Sequence, residues 1–450
     1  MKIHNILFPL SLGLVFSQGW SQVIPSRGGL FGSGLFGTNA NSGPALTIRP
    51  FAQVTAIYDH TYRPPTLDLS GGLPGYSSYG YSATVGLEGA KAWRRSILSI
   101  DYRTRYRQYV HRGALDGFDH ILGLNYSRQL SRRVSLSFSE AGGSYARNVG
   151  LGGTAGIGIF GLNAPLYTDP TLDAIPDNDL VDTRTYFASS GANLNFQKSA
   201  RLSFNASGTG FLVRRKASGL VDVNGFSTHG NAMYLLTRRQ SIGVDYGFTR
   251  FDFHRAFGSS VVHIPAFNWA IQLTRRTSLG VQVGIYRLES ERIVTIALDP
   301  LIAAILGRRA GLEVFHAVTY SSAYGVVLTR SFRRSQLSLV GRRGIVPGNG
   351  LYLTTRRDMV SVGYSYFGPR RWSLGLGAGY YRGSAQLQVA PILQTYQARA
   401  GFGYRIANYL HFTAAGSGRR SEISATSRWN AAQVSIGLAF SPGETALPIW

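Results

Sequence analysis

From Leu46 onward, apolar and polar side chains alternate with a period of two. In 97–109, Leu98, Ile100, Tyr102 and Tyr106 share one face, and Ser99, Asp101, Arg103, Arg105 and Arg107 share the other. In 278–285, Leu279, Val281, Val283 and Ile285 alternate with Gly280, Gln282 and Gly284. In 392–405 the apolar set is Tyr396, Ala398, Ala400, Phe402 and Tyr404, set against Gln397, Arg399, Gly401 and Gly403. In 429–440 Val434, Ile436, Leu438 and Phe440 alternate with Gln433, Ser435, Gly437 and Ala439. This period is that of a β-strand with one apolar face. Such segments recur near 46–58, 76–90, 96–109, 117–130, 133–147, 183–197, 200–213, 223–237, 240–253, 261–274, 277–290, 312–330, 335–346, 350–366, 371–383, 392–406, 409–418 and 429–440. They predict about 18 strands, or 16 if the irregular stretch 335–366, broken by Gly344, Pro347 and Gly350, is not two strands.

Between strands a short motif repeats. Two arginines end one run and start the next at Arg94-Arg95, Arg132-Arg133, Arg238-Arg239, Arg275-Arg276, Arg333-Arg334 and Arg370-Arg371. Neighbouring copies mostly sit about 37 residues apart, the mark of a repeated supersecondary unit. Each copy is predicted to be the tight turn of a hairpin. The other connections are longer, near 59–75, 110–116, 148–182, 214–222, 254–260, 291–311, 384–391 and 419–428.

Alternation alone fits a soluble sandwich or a barrel in lipid. Three features favour lipid. Strands of about 10 to 15 residues exceed the usual five or six of soluble sheets. Trp93, Phe332, Phe367, Trp372 and Tyr409 gather near strand ends, as interfacial girdles require. The polar face is Gly, Ser, Asn, Gln and Arg, which suits a wet interior. The predicted fold is all-β, a transmembrane antiparallel β-barrel with short periplasmic turns and longer outer loops. That asymmetry puts the arginine turns on the periplasmic side. There they meet lipid phosphate, or merely keep turns soluble and block edge pairing.

Residues 1–21 resemble a secretory signal: Lys2 and His4, an apolar core over 6–16, and small Gly19 and Ser21 before the cut. Residues 22–45 form a Gly/Ser-rich leader, 46–440 the barrel and 441–450 a tail. The expected location is the outer membrane of a Gram-negative bacterium after signal cleavage. The chain has no cysteine, which excludes disulfides and cysteine metal sites. Its net charge of +24 comes almost wholly from arginine. Export and the spread of these arginines through turns and strands argue against nucleic acid.

The segment 46–440 resembles a bacterial outer-membrane β-barrel of porin size, and 431–440 (AAQVSIGLAF) resembles the terminal strand by which such proteins are recognised for assembly. The family pattern ends at the aromatic residue, whereas ten residues follow here. The resemblance implies the barrel-assembly machinery and outer-membrane lipid as partners, with periplasmic export partners also possible. In general porins the long third loop folds inward and sets acids against arginines. The longest loop here carries Asp169, Asp173, Asp177, Asp179 and Asp182. It resembles that arrangement, but a plain surface loop or a calcium site through Asp177 and Asp179 stays open.

Three arginines in a row cannot face lipid, since one at the midplane costs about 2–4 kcal/mol. Arg103, Arg105 and Arg107, with Asp101, are therefore assigned to the lumen or constriction, together with Arg49, Arg399 and Arg405. A self-paired interior remains the alternative, with Asp101, Asp245 and Glu313 neutralising arginines. Asp299 and Pro300 are expected to start a short helix in the 291–311 loop. No triad, phosphate loop or metal motif is apparent, so neither enzymatic activity nor a cofactor is expected. The expected function is a porin-like channel passing small anions or an acidic polysaccharide. The alternative is a structural or surface-binding barrel with a blocked lumen.

Overall fold

The computed structural model describes residues 46–61, 76–110, 116–145, 184–216, 220–254, 258–297, 307–348, 353–367, 371–386, 392–422 and 428–441, together with 299, 301, 304 and 305. The proposed signal and leader, the tail beyond Ser441 and the aspartates of the longest loop lie outside them.

The strands are β1 (Leu46–Thr61), β2 (Tyr76–Ala92), β3 (Ser96–Tyr109), β4 (Gly117–Gln129), β5 (Val134–Tyr145), β6 (Thr185–Gln197), β7 (Leu202–Arg215), β8 (Val223–Thr237), β9 (Gln240–Phe253), β10 (Gly258–Thr274), β11 (Thr277–Ala297), β12 (Ala310–Ser331), β13 (Ser335–Val346), β14 (Thr355–Phe367), β15 (Trp372–Ala385), β16 (Leu393–Arg405), β17 (Leu410–Glu422) and β18 (Arg428–Phe440). Each pairs antiparallel with its sequence neighbours, and β1 pairs β18 from Ala52↔Phe440 to Thr61↔Ala431, which closes the ring. Closure satisfies the backbone of both chain-terminal strands and leaves no edge there, the condition for crossing a bilayer with strands. No described helix is long and apolar enough to cross a membrane.

The period-2 pattern sets the two faces. Outward side chains are large and exposed: Val54 (60%) on β1, Val244 (60%) on β9, Val283 (57%) on β11 and Ile436 (50%) on β18. Their strand neighbours Gln53, Thr55 and Asp245 point inward and are buried. The molecule is thus apolar outside and largely polar inside, the reverse of a soluble domain. The turns at 238–239 and 275–276 are two residues long, and 93–95 and 332–334 three. Trp93, Phe332, Trp372 and Tyr409 are exposed along this rim. On the opposite rim Tyr58 lies 5.0 Å from Tyr79, and Tyr380 lies 5.0 Å from Tyr396. The wall therefore has an aromatic belt at each end.

The ring is uneven on its long-loop side. β11 and β12 stay paired to Ala297↔Ala310, but β12 pairs β13 only from Tyr324↔Arg343 to Ser331↔Gln336. Above that point β13 leaves the wall. Gly344 removes a side chain there, and beyond the strand Pro347 removes an amide donor and Gly348 takes a positive φ of 73°. Tyr286 on β11 donates to the Arg343 carbonyl at 2.7 Å, past the intervening β12. Ser260 Oγ on β10 lies 2.7 Å from Thr354 Oγ1, just before β14. The β13–β14 end is drawn across the inside of the barrel. Leu353 is seated there in an inward apolar cluster with Phe211, Phe251, Phe253, Val262, Tyr286 and Leu288. The pattern in the sequence gave no sign of this cluster or of the inward tip. The broken stretch 335–366 is two strands, with the second starting at Thr355 rather than near 350. As expected, Asp299 heads a helical turn, accepting from the Leu301 amide at 2.9 Å.

Candidate functional site: the barrel interior

β3 places Ser99, Asp101, Arg103, Arg105, Arg107 and Tyr109 on the face opposite exposed Leu98 and Tyr102. Arg103 Nε donates to Asp101 Oδ1 at 2.8 Å. The Arg103 guanidinium also lies 6.0 Å from the Phe51 ring centroid. That ring fills the space a side chain at Gly86 would need, so a small residue on β2 seats an aromatic on β1 beneath a cation on β3. Arg105 Nε lies 3.3 Å from Thr84 Oγ1. Arg107 is 1% exposed and donates through Nη2 to Asp119 Oδ2 at 2.9 Å, while its Nε and Nη1 find no acceptor. Arg184 Nη1 approaches the other Asp119 oxygen at 3.8 Å.

Asp119 was missed in the sequence, although its alternation with exposed Phe118 and Leu122 on β4 carries the signal. Asp101 neutralises an arginine as anticipated. Asp245 does not: its neighbours are His229 at 3.3 Å, Gln282 at 2.7 Å and Asn268. Glu313 is exposed, on the part of the β11–β12 hairpin that outruns β13.

On the other flank, β16 alternates Gln397, Arg399 and Arg405 against exposed Tyr396 and Tyr404, so these three point inward. The same parity turns Arg342 on β13, Arg357 on β14 and Arg419 on β17 inward, none of them anticipated. Arg357 lies 4.5 Å over the Tyr381 ring. Arg49 has the inward parity on β1, but its side chain lies outside the description.

Half a ring away, β6 to β11 present amides. Asn205 donates to Asn195 at 2.6 Å and to Asn193 at 3.2 Å, and Asn195 to Asn193 at 2.7 Å. One wall can therefore grip carboxylate, sulfate or phosphate through guanidinium forks, while the other can both donate to and accept from hydroxyl groups. Among the described residues no group of three acids or histidines is placed to hold a metal ion.

No protein-family model matches the chain, and no curated protein is similar to it in sequence. Solved barrels are similar in shape. OccK2 (OpdF) of Pseudomonas aeruginosa is 10% identical with a TM-score of 0.42, over 88% of this chain and 98% of that one. A BenF-like porin from Pseudomonas fluorescens Pf-5 is 9% identical at 0.42, over 88% and 98%. The ferric yersiniabactin uptake receptor FyuA of Yersinia pestis is 14% identical at 0.40, over 88% of this chain and 66% of that one. Of the expected turn arginines, Arg94, Arg95, Arg132, Arg133, Arg238, Arg239, Arg275, Arg276, Arg333, Arg334 and Arg371 lie on or beside the short connections, and Arg370 lies outside the described residues.

Proposed function

We propose that the chain is an outer-membrane channel, exported by way of residues 1–21, whose interior passes small anionic solutes or an acidic polysaccharide. One observation carries this reading. Inward arginines are concentrated on β3, β13, β14, β16 and β17. An 18-stranded barrel is wide enough to hold water. A cationic wall facing amides favours polyhydroxylated acids over cations and apolar solutes. The short turns are periplasmic in this reading, and the chain does no catalysis.

The test is conductance of the purified barrel in a planar bilayer under a salt gradient. Wild type should reverse at a potential that marks anion preference. The triple variant Arg103→Ser/Arg105→Ser/Arg399→Ser should shift that potential towards zero. Absence of current, or preference for cations, overturns the channel. A second reading is a barrel with an obstructed lumen. The seating of Leu353 across the inside favours it, and the same recording separates the two.

A further inference from the structure

Among the described residues, the outward face carries more charge in one place than in any other. At the long-loop end of β13 to β18, registered pairs bring Arg343 beside Asp358, Asp358 beside Arg382, Arg382 beside Gln394, Gln394 beside Glu422, and Glu422 beside Arg428. Arg356 lies two residues beyond Asp358 on β14, and Arg420 two residues before Glu422 on β17. All share the parity of the exposed outward residues. Five arginines thus meet two carboxylates. Asp358 is held by Arg343, which also donates to Ser322 Oγ at 3.0 Å and stacks 4.9 Å from the Tyr324 ring. Glu422 is shared between Arg420 at 2.8 Å and Arg428 at 3.5 Å, whose side chains remain 53% and 56% exposed. Arg382 is exposed and takes no carboxylate among the described residues, whereas the Nε of Arg356 is buried.

The rest of this rim differs. On β9 to β11, Arg250 pairs Asp252 at 3.1 Å, Arg287 pairs Glu289, and Glu291 adds a further acid. On β1 to β4 the outward residues at this level include Tyr58, His60, Tyr79, Tyr81, Tyr106 and His120. Directly beneath the arginine band lie Tyr380, Tyr396, Val360, Leu376 and Val434, all outward.

We infer that the outward band Arg343–Arg356–Arg382–Arg420–Arg428 binds the phosphorylated headgroup of a membrane lipid, whose acyl chains lie on the apolar wall below. Surplus guanidinium charge faces away from the lumen, and it sits where hydrocarbon gives way to headgroups. An anion with chains gains both contacts, whereas a free anion gains only one. Guanidinium forks match phosphate oxygens two at a time, and charge near an anionic leaflet adds to the binding. The inference rests on the membrane-spanning part of the proposal, not on conduction.

The probe is phosphatidic acid, compared with diacylglycerol of the same chains and with inorganic phosphate. Binding is read on the purified full chain in neutral detergent by native mass spectrometry. Heat-modifiable electrophoretic mobility confirms that each variant is folded. Wild type should retain phosphatidic acid but not diacylglycerol, and inorganic phosphate at equal concentration should not displace it. Arg382→Gln/Arg420→Gln/Arg428→Gln should weaken retention by roughly tenfold or more. Arg250→Gln/Arg287→Gln, on the balanced part of the rim, should retain the lipid. Equal retention by the triple variant, equal binding of diacylglycerol, or displacement by free phosphate would each overturn the inference. A barrel that carries no current but loses the lipid on substitution overturns the channel and keeps this surface.

Discussion

Arg107 and Asp119 are the most consequential pair of side chains in the interior. Both are almost fully buried, at 1% and 2% exposure. Removing one partner strands the other charge, which costs about 3–5 kcal/mol, whereas replacing both with apolar residues is often near neutral. Asp119→Asn should therefore lower stability by several kcal/mol in urea titrations of the barrel folded into vesicles. Arg107→Leu/Asp119→Leu should recover most of that loss. If the double variant is as weak as the single, the pair does not act as a buried ion pair. Glu140 poses the opposite problem. It shares the outward parity of exposed Phe138, it is itself exposed, and it accepts from Ser190 Oγ. A carboxylate facing hydrocarbon is destabilising, though less so than an arginine. Glu140→Leu should raise the urea midpoint in vesicles by an amount worth about 1 kcal/mol. A lower midpoint would show that the carboxylate holds β5 to β6 through Ser190. The orientation of Arg103, Arg105 and Arg107 was legible because alternation fixes a face. Their partners were not, because pairing depends on which strand lies alongside and in what register.

The strands themselves were legible, most within a few residues of their ends, because an apolar stripe of period two persists for a whole crossing. The arginine turns marked one rim for a plainer reason. A two- to four-residue connection leaves room for little besides polar turn residues. The other rim was harder to read. β12 reaches up to Ala310, beyond the predicted 312, and β11 runs to Ala297, beyond the predicted 290, since a projecting hairpin need not show the alternation of a wall. The inward tip was invisible because its apolar partners come from β7, β9, β10 and β11. They are brought together only by ring closure. Leu353 fills a site among Phe251, Phe253, Val262 and Leu288, with Ser260 and Thr354 hydrogen-bonded beside it. Leu353→Ser/Thr354→Val should loosen this anchor and raise single-channel conductance in planar bilayers. Unchanged conductance would mean that the tip does not narrow the path.

At the scale of the whole molecule, sequence and structure agree on one closed ring, apolar outside and polar within, because each strand obeys the same rule and neighbours are adjacent in the chain. Selectivity also belongs to this scale. The reversal potential of the proposed channel depends on the sum of inward arginines across several strands, so any single substitution should move it less than the triple variant does. The ring is not uniformly strong, however. Most neighbours share ten or more registered pairs, as β1 and β18 do, but β12 and β13 share only the pairs from Tyr324↔Arg343 to Ser331↔Gln336. Hydrogen bonds along a seam break cooperatively, and the seam with fewest resists least. If a tether pulls the wall apart, or denaturant reaches it, the cylinder should open between β12 and β13 and not where its two chain ends meet. The chain's beginning and end would then remain joined while the middle of the sequence comes undone, so that an amide-exchange experiment would find its earliest loss of protection near Tyr324 and Arg343.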